Sequence, residues 1–150
     1  MTTPNIALLE ATMAYIETHP EEWNQETWRC GSGMCFAGWA ATLNGREWAT
    51  KDANAEGAAD IVVKPGEFPF AGPEMVYDAD ADVYRRTDRT VASVSVVAEH
   101  DLGLTEEQTD ILFDGYNSRA TLRTMVNALK EGRDIDYDMD VPAPEPEETR

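Results

Sequence analysis

Two cysteines, Cys30 and Cys35, and two histidines, His19 and His100, are the residues of this 150-residue chain with the chemistry of nucleophiles, redox groups or soft metal ligands. Their spacing decides how far that chemistry can go. Cys30 and Cys35 are separated by four residues, whereas a zinc knuckle brings two thiolates together across two, and the histidines lack the short His-to-His interval of a Cys2His2 site. On a continuous helix the two thiols would point about 140° apart, so neither a shared metal nor a redox pair is expected. A cysteine nucleophile would need a base held within reach, and no Asn or Asp is tied by motif to either histidine. His19 precedes Pro20 at a helix end and His100 ends another helix, where a cation complements the dipole.

Other constellations fail at identifiable positions. Gly31-Ser32-Gly33 could cradle an anion ahead of a helix, but the P-loop lysine is absent. Asp78, Asp80 and Asp82 imitate the opening of a calcium loop, yet Val83 stands at the required glycine and Arg89 at the twelfth position. In the tail, Asp134, Asp136, Asp138 and Asp140 alternate with Ile135, Tyr137 and Met139, and Met139 again replaces the glycine. No catalytic residue, metal or cofactor is assigned. The two acidic runs are instead the candidate partner-binding residues.

The elements that would position these groups follow from periodicity. Thr3 and Pro4 read as an N-cap and first-turn proline, and Ile6, Leu9, Met13 and Ile16 recur at helical spacing until His19-Pro20. Trp23 and Trp28 sit in a short polar connector. After the Cys-Gly turn, Met34 to Leu43 reads as a helix with Cys35 and Trp39 on one face and Ala37, Gly38 and Ala41 on another. From Asn44 to Asp88 glycines and prolines break the pattern into apolar pieces such as Ile61-Val62-Val63, Val76-Tyr77 and Val83-Tyr84, which suggests loops with a hairpin. A helix is expected from Thr90, although the density of valine keeps a strand open. Thr105 and Gln108 form a capping box, and Ser118 caps a last helix closed by Gly132.

The fold expected is therefore mainly α, with about five helices and a small β-hairpin or loop insertion at about 45–88, becoming α+β if that hairpin is extensive. One compact domain would span 1–131, followed by an acidic, proline-rich, extended or disordered tail at 132–150.

Composition narrows the partners. Twenty-nine acids against twelve Lys and Arg give a net charge of -17, which argues against direct nucleic-acid binding, where affinity comes from basic groups that displace counterions. Residues 131–150 hold eight acids and two arginines, six of the net negative charges. No apolar run approaches the roughly 20 residues that span a bilayer, and Met1 to Asn5 carries no basic residue of a secretion signal, so a cytoplasmic protein without membrane contact is expected. A basic protein partner fits the charge, and a homo-oligomer stays open.

The stretch Trp28-Arg29-Cys30-Gly31-Ser32-Gly33-Met34-Cys35-Phe36-Ala37-Gly38-Trp39-Ala40 resembles a signature of small uncharacterised actinobacteriophage proteins, in which a helix ending in His-Pro precedes it. Thr18-His19-Pro20 stands in that place here. Leu102-Gly103-Leu104-Thr105, Leu112-Phe113 and Asn117-Ser118 are similar to the same proteins' second half. The resemblance marks Trp28, Cys30, Gly31, Cys35, Gly38 and Trp39 as a structural signature and implies a phage origin. The function expected is a non-enzymatic acidic protein made in the infected bacterium that binds a host protein, in host takeover or interference with defence or superinfection. Two alternatives stay open: a nucleic-acid mimic that blocks a host DNA-binding protein, and a cysteine- or metal-dependent enzyme.

Overall fold

A computed structural model describes residues 3–26, 34–50, 58–137 and 139. Helix α1 (Ile6–Thr18) starts two residues later than Thr3-Pro4 suggests, because Asn5 is the cap: its side chain accepts the Leu8 N–H at 3.1 Å. The Asn5 backbone N–H also donates to Leu102 O at 2.7 Å. That contact brings the chain against Gly103, whose φ of +69° and lack of a side chain are both required, since a Cβ there would collide with the Thr3 carbonyl. A 3-10 turn (Pro20–Glu22) follows, then α2 (Phe36–Leu43).

The middle of the chain overturns the expectation of a mainly helical fold with a small hairpin. Strands β1 (Glu47–Trp48), β2 (Asp60–Val63), β3 (Gly72–Asp78) and β4 (Val83–Ser93) form one antiparallel sheet in the order β1-β2-β4-β3, and the protein is α+β. Strand β4 is the reason. Its eleven residues run through Thr90 and Val91, where a helix was expected, and its β-branched side chains pair with both neighbours: Val91 lies opposite Val62 and Gly72. The helix begins only at Val94, when the Ser93 hydroxyl accepts the Ser95 N–H. Pro73 fits because β3 is an edge strand, where a missing N–H need not break a ladder. Opposite Glu74 the register shifts, and the Glu74 carboxylate accepts from Thr87 Oγ1 at 3.0 Å and from Arg89 Nε at 2.9 Å and Nη2 at 2.7 Å.

Helices α3 (Val94–Leu102), α4 (Glu106–Leu112) and α5 (Arg119–Lys130) follow. The Thr105–Gln108 capping box and the Ser118 cap are both formed. Two apolar clusters meet at α2. Phe36, Ala37 and Ala40 pack with Leu9, Met13 and Ile16 of α1 and Leu122, Met125 and Leu129 of α5, while Ala41 joins Ile61, Val63, Phe68, Ala92, Val94 and Val97 on the sheet side. Small side chains on α2 let both layers approach it. Ile135, beyond the last helix, is also buried in the helical cluster. Among the described residues no helix is long and apolar enough to cross a membrane.

Two charge arrangements lock these layers. Arg46, just after α2, donates from Nη2 and Nε to Asp101 of α3 at 2.7 and 2.9 Å and from Nη1 to Glu67 of the β2–β3 connection at 3.0 Å, with its guanidinium 5.5 Å over the Phe68 ring. Burial pushes the Asp101 carboxyl up, but the bonds from Arg46, Asn44 and His100 outweigh it and hold the group below its ordinary range. On the far side, Arg123 of α5 bridges Glu10 and Glu17 of α1, and Lys130 adds a 2.6 Å bond to Glu10.

Removing one member of the first pair strands a buried charge. Asp101→Asn is expected to lower the unfolding free energy in urea by about 3 kcal/mol, while Arg46→Met with Asp101→Leu recovers most of the loss. The second arrangement predicts a pH dependence. Hydrogen bonds from Arg123, then Lys130, hold Glu10 down to about 2 against an ordinary 4.5, so its stabilisation is present above pH 4.5 and is lost as pH falls toward 2. Because Glu10 is partly exposed, Glu10→Gln should cost about 1 kcal/mol or less at pH 6 and remove that part of the acid limb in a pH-resolved denaturation series.

Candidate functional site

The Cys-Gly turn divides between the described and undescribed residues. Trp28, Cys30 and Gly31 lie outside the described residues; Cys35, Gly38 and Trp39 lie within them. Cys35 is the residue before α2 and is 2% exposed. Burial pushes its thiol up to about 11, although three backbone bonds act in the other direction. A protonated thiol sealed in the core is a packing group, not a nucleophile. Gly38 is buried, and Trp39 lies half-buried with its indole N–H donating to Glu22 O at 2.9 Å and its ring 4.4 Å from Tyr15.

The hub of this region is a residue that periodicity did not single out. Gln25 is 5% exposed, and its amide makes four bonds. Nε2 donates to Leu112 O at 3.1 Å and Asp114 O at 3.2 Å, while Oε1 accepts the Phe36 N–H and the Trp23 indole N–H, each at 3.1 Å. Cys35 gives α2 no side-chain cap, so Gln25 satisfies an otherwise orphaned N–H at that helix start. The single signal in the sequence was a polar residue between two tryptophans in a connector.

The histidines serve the same local purposes. His19 closes α1 and stacks on Tyr15 with ring centroids 4.0 Å apart, and its Nδ1 lies 3.1 Å from Tyr15 O. His100 meets the Phe68 ring edge-on at 4.9 Å, with Nδ1 3.3 Å from Asp101. The structure therefore places Cys35, His19 and His100 in three separate settings. Among the described residues no group of three or more His, Cys, Asp or Glu is placed to hold a metal ion.

The first acidic run has a different geometry. Asp78, Asp80 and Asp82 form the turn between β3 and β4. Asp78 accepts the N–H groups of Asp80 and Ala81 and pairs with Arg85 Nε at 2.7 Å, and these bonds, Arg85 first, hold its carboxyl below the usual range. Asp82 adopts φ +55°, a conformation that Asp tolerates, and accepts the Tyr77 hydroxyl at 2.5 Å. Asp134 and Asp136 of the second run are exposed beyond α5, and Asp138 and Asp140 lie outside the described residues.

That turn ends a ribbon whose apolar side chains are largely exposed. Met75, Val76, Tyr77, Val83 and Tyr84 are 43–53% exposed, and they are five of the ten largely exposed large apolar side chains among the described residues. The sequence named these apolar pairs and the acids beside them. It did not reveal that the ribbon reaches past the layer of helices that buries the other end of the sheet. No family model matches the chain, and neither a curated protein nor a solved structure matches it.

Replacing the hub tests the packing account of the Cys-Gly region. Gln25→Leu leaves the Phe36 N–H and the Trp23 indole N–H without their acceptor, while Asn117 still donates to the Leu112 and Asp114 carbonyls, and is expected to cost about 2 kcal/mol in urea unfolding. In a Cys30→Ser background, Cys35 should react with a thiol reagent only on unfolding; reaction in the native state would contradict the assignment.

Proposed function

We propose that this chain is a non-enzymatic acidic protein of bacteriophage origin that acts in the cytoplasm of the infected bacterium by binding a basic host protein. The observation that carries the reading is how the charge is spent. Of the nine Lys and Arg among the described residues, six are engaged by the chain's own carboxylates: Arg46 with Asp101, Arg85 with Asp78, Arg89 with Glu74, Arg123 with Glu10 and Glu17, Lys130 with Glu10, and Arg133 with Glu131. The cations thus hold the fold together, while the excess acids, Glu106, Glu107 and Asp110 among them, face solvent. Such a field raises the encounter rate with a basic surface and suppresses binding to acidic ones.

The resemblance of the Cys30 to Trp39 region to small actinobacteriophage proteins supports the phage origin, and the buried thiol of Cys35 weakens a cysteine-dependent alternative. A nucleic-acid mimic needs uninterrupted stripes of carboxylates. Here arginines interrupt the acids on α1, β3 and α3.

The test is capture from an actinobacterial lysate with the full chain as bait. At least one bait-dependent protein should bind at about 50 mM salt and be released by about 500 mM, and the Cys35→Ala protein should capture it equally. A lysate that yields no salt-sensitive partner overturns the reading.

A further inference from the structure

The exposed ribbon has a chemistry of its own, independent of a host partner. In the β3–β4 register Met75 lies opposite Arg86 and Tyr77 opposite Tyr84, so these four side chains share one face, while Val76, Val83 and the Asp78–Arg85 pair occupy the other. The two tyrosine rings sit 5.3 Å apart. Asp82 belongs to the tyrosine face, because its carboxylate holds the Tyr77 hydroxyl. We propose that this face is a two-fold contact between two copies of the chain.

The case for a second copy is the order of groups along the face. Tyr77 and Tyr84 stand at its centre. Arg86 lies two residues toward the root of β4, about 7 Å from Tyr84 along the strand, and Asp82, in the turn, lies two residues toward the tip. A two-fold axis through the tyrosine pair runs the ribbons antiparallel and sets Arg86 of each copy opposite Asp82 of the other. Both ion pairs form at once, as an isologous interface requires. Arg86 makes no ion pair within its own chain among the described residues, and Asp82 keeps one carboxylate oxygen beyond the bond to Tyr77. A guanidinium beside aromatic rings adds a stacking partner across the same axis.

Charge also selects this occupant over a basic one. A basic protein would meet the acids of the tip but would be opposed by Arg86, whereas a second copy supplies a carboxylate for each guanidinium. The net charge of -17 on each chain opposes association elsewhere. Between residues 75 and 86, however, three acids face two arginines, so the net repulsion on this ribbon is small. A ribbon of this width covers well under the roughly 800 Å² per partner of a standard interface, and the dimer is accordingly weak, with a dissociation constant on the order of 10 µM.

Sedimentation velocity from about 1 to about 500 µM at about 150 mM salt should show a shift from monomer to dimer. Arg86→Glu and Tyr84→Ser should each raise the dissociation constant at least tenfold, and Val83→Ser on the opposite face should leave it unchanged. Thermal unfolding of the diluted, monomeric proteins separates loss of the contact from loss of the fold. A wild-type chain that remains monomeric throughout overturns the proposal. So does a dimer that survives Arg86→Glu and Tyr84→Ser, or one lost on Val83→Ser.

Discussion

The contact on which the remaining architecture depends is the ion pair between Arg46 and Asp101. It joins the turn after α2 to the last turn of α3, and through Glu67 it reaches the connection between β2 and β3. A carboxylate as buried as Asp101 is tolerated only when its oxygens are occupied, and Arg46 meets both with two parallel bonds. The pair therefore fixes the sheet's position on the helices. Around it the apolar contacts divide: α2 gives Ala37 and Ala40 to the helical cluster and Ala41 to the sheet cluster, so one short helix of small residues carries both cores.

That joint also limits what can be covered. Ile61, Val63 and Ala92 are buried against Ala41 of α2 and Val94 and Val97 of α3, but β4 continues outward for most of its eleven residues, and β3 turns back beside it. Past Thr87 toward the tip, the ribbon is exposed on both faces. Two strands alone are marginal in water. The arm holds its shape through the Glu74 bonds to Thr87 and Arg89, the Asp78–Arg85 pair and the tyrosine contact, and its apolar side chains from Met75 to Tyr84 stay about half exposed.

The sequence made the later helices legible because their ends are written in side-chain chemistry: Thr105 with Gln108, and Ser118. It made the sheet poorly legible because β4 mixes arginines, threonines and aspartate with its valines, and the alternation of an exposed ribbon has no apolar face to betray it. Thr90 and Val91 fit either period, and pairing with Val63 and Val62 decided for the strand. At the candidate site, the acids and apolar pairs of the hairpin were visible as residues, but exposure is a property of the whole packing and not of a segment. Gln25 was illegible for a related reason, since its four partners come from α2, the segment around Trp23 and the end of α4.

Cys35 packs within the helical core and Trp39 against it, arginines such as Arg46 and Arg123 hold elements together, and the proposed contact surface is the exposed arm. Amide hydrogen exchange read residue by residue at two protein concentrations tests that division most directly. The amides of Ile61–Val63 and Thr90–Ala92 should exchange slowly and alike at both concentrations, while those of Val76, Tyr77 and Val83–Arg85 exchange fast in dilute protein and slow markedly in concentrated protein. Distal amides as protected as the root in dilute protein, or indifferent to concentration, would contradict it.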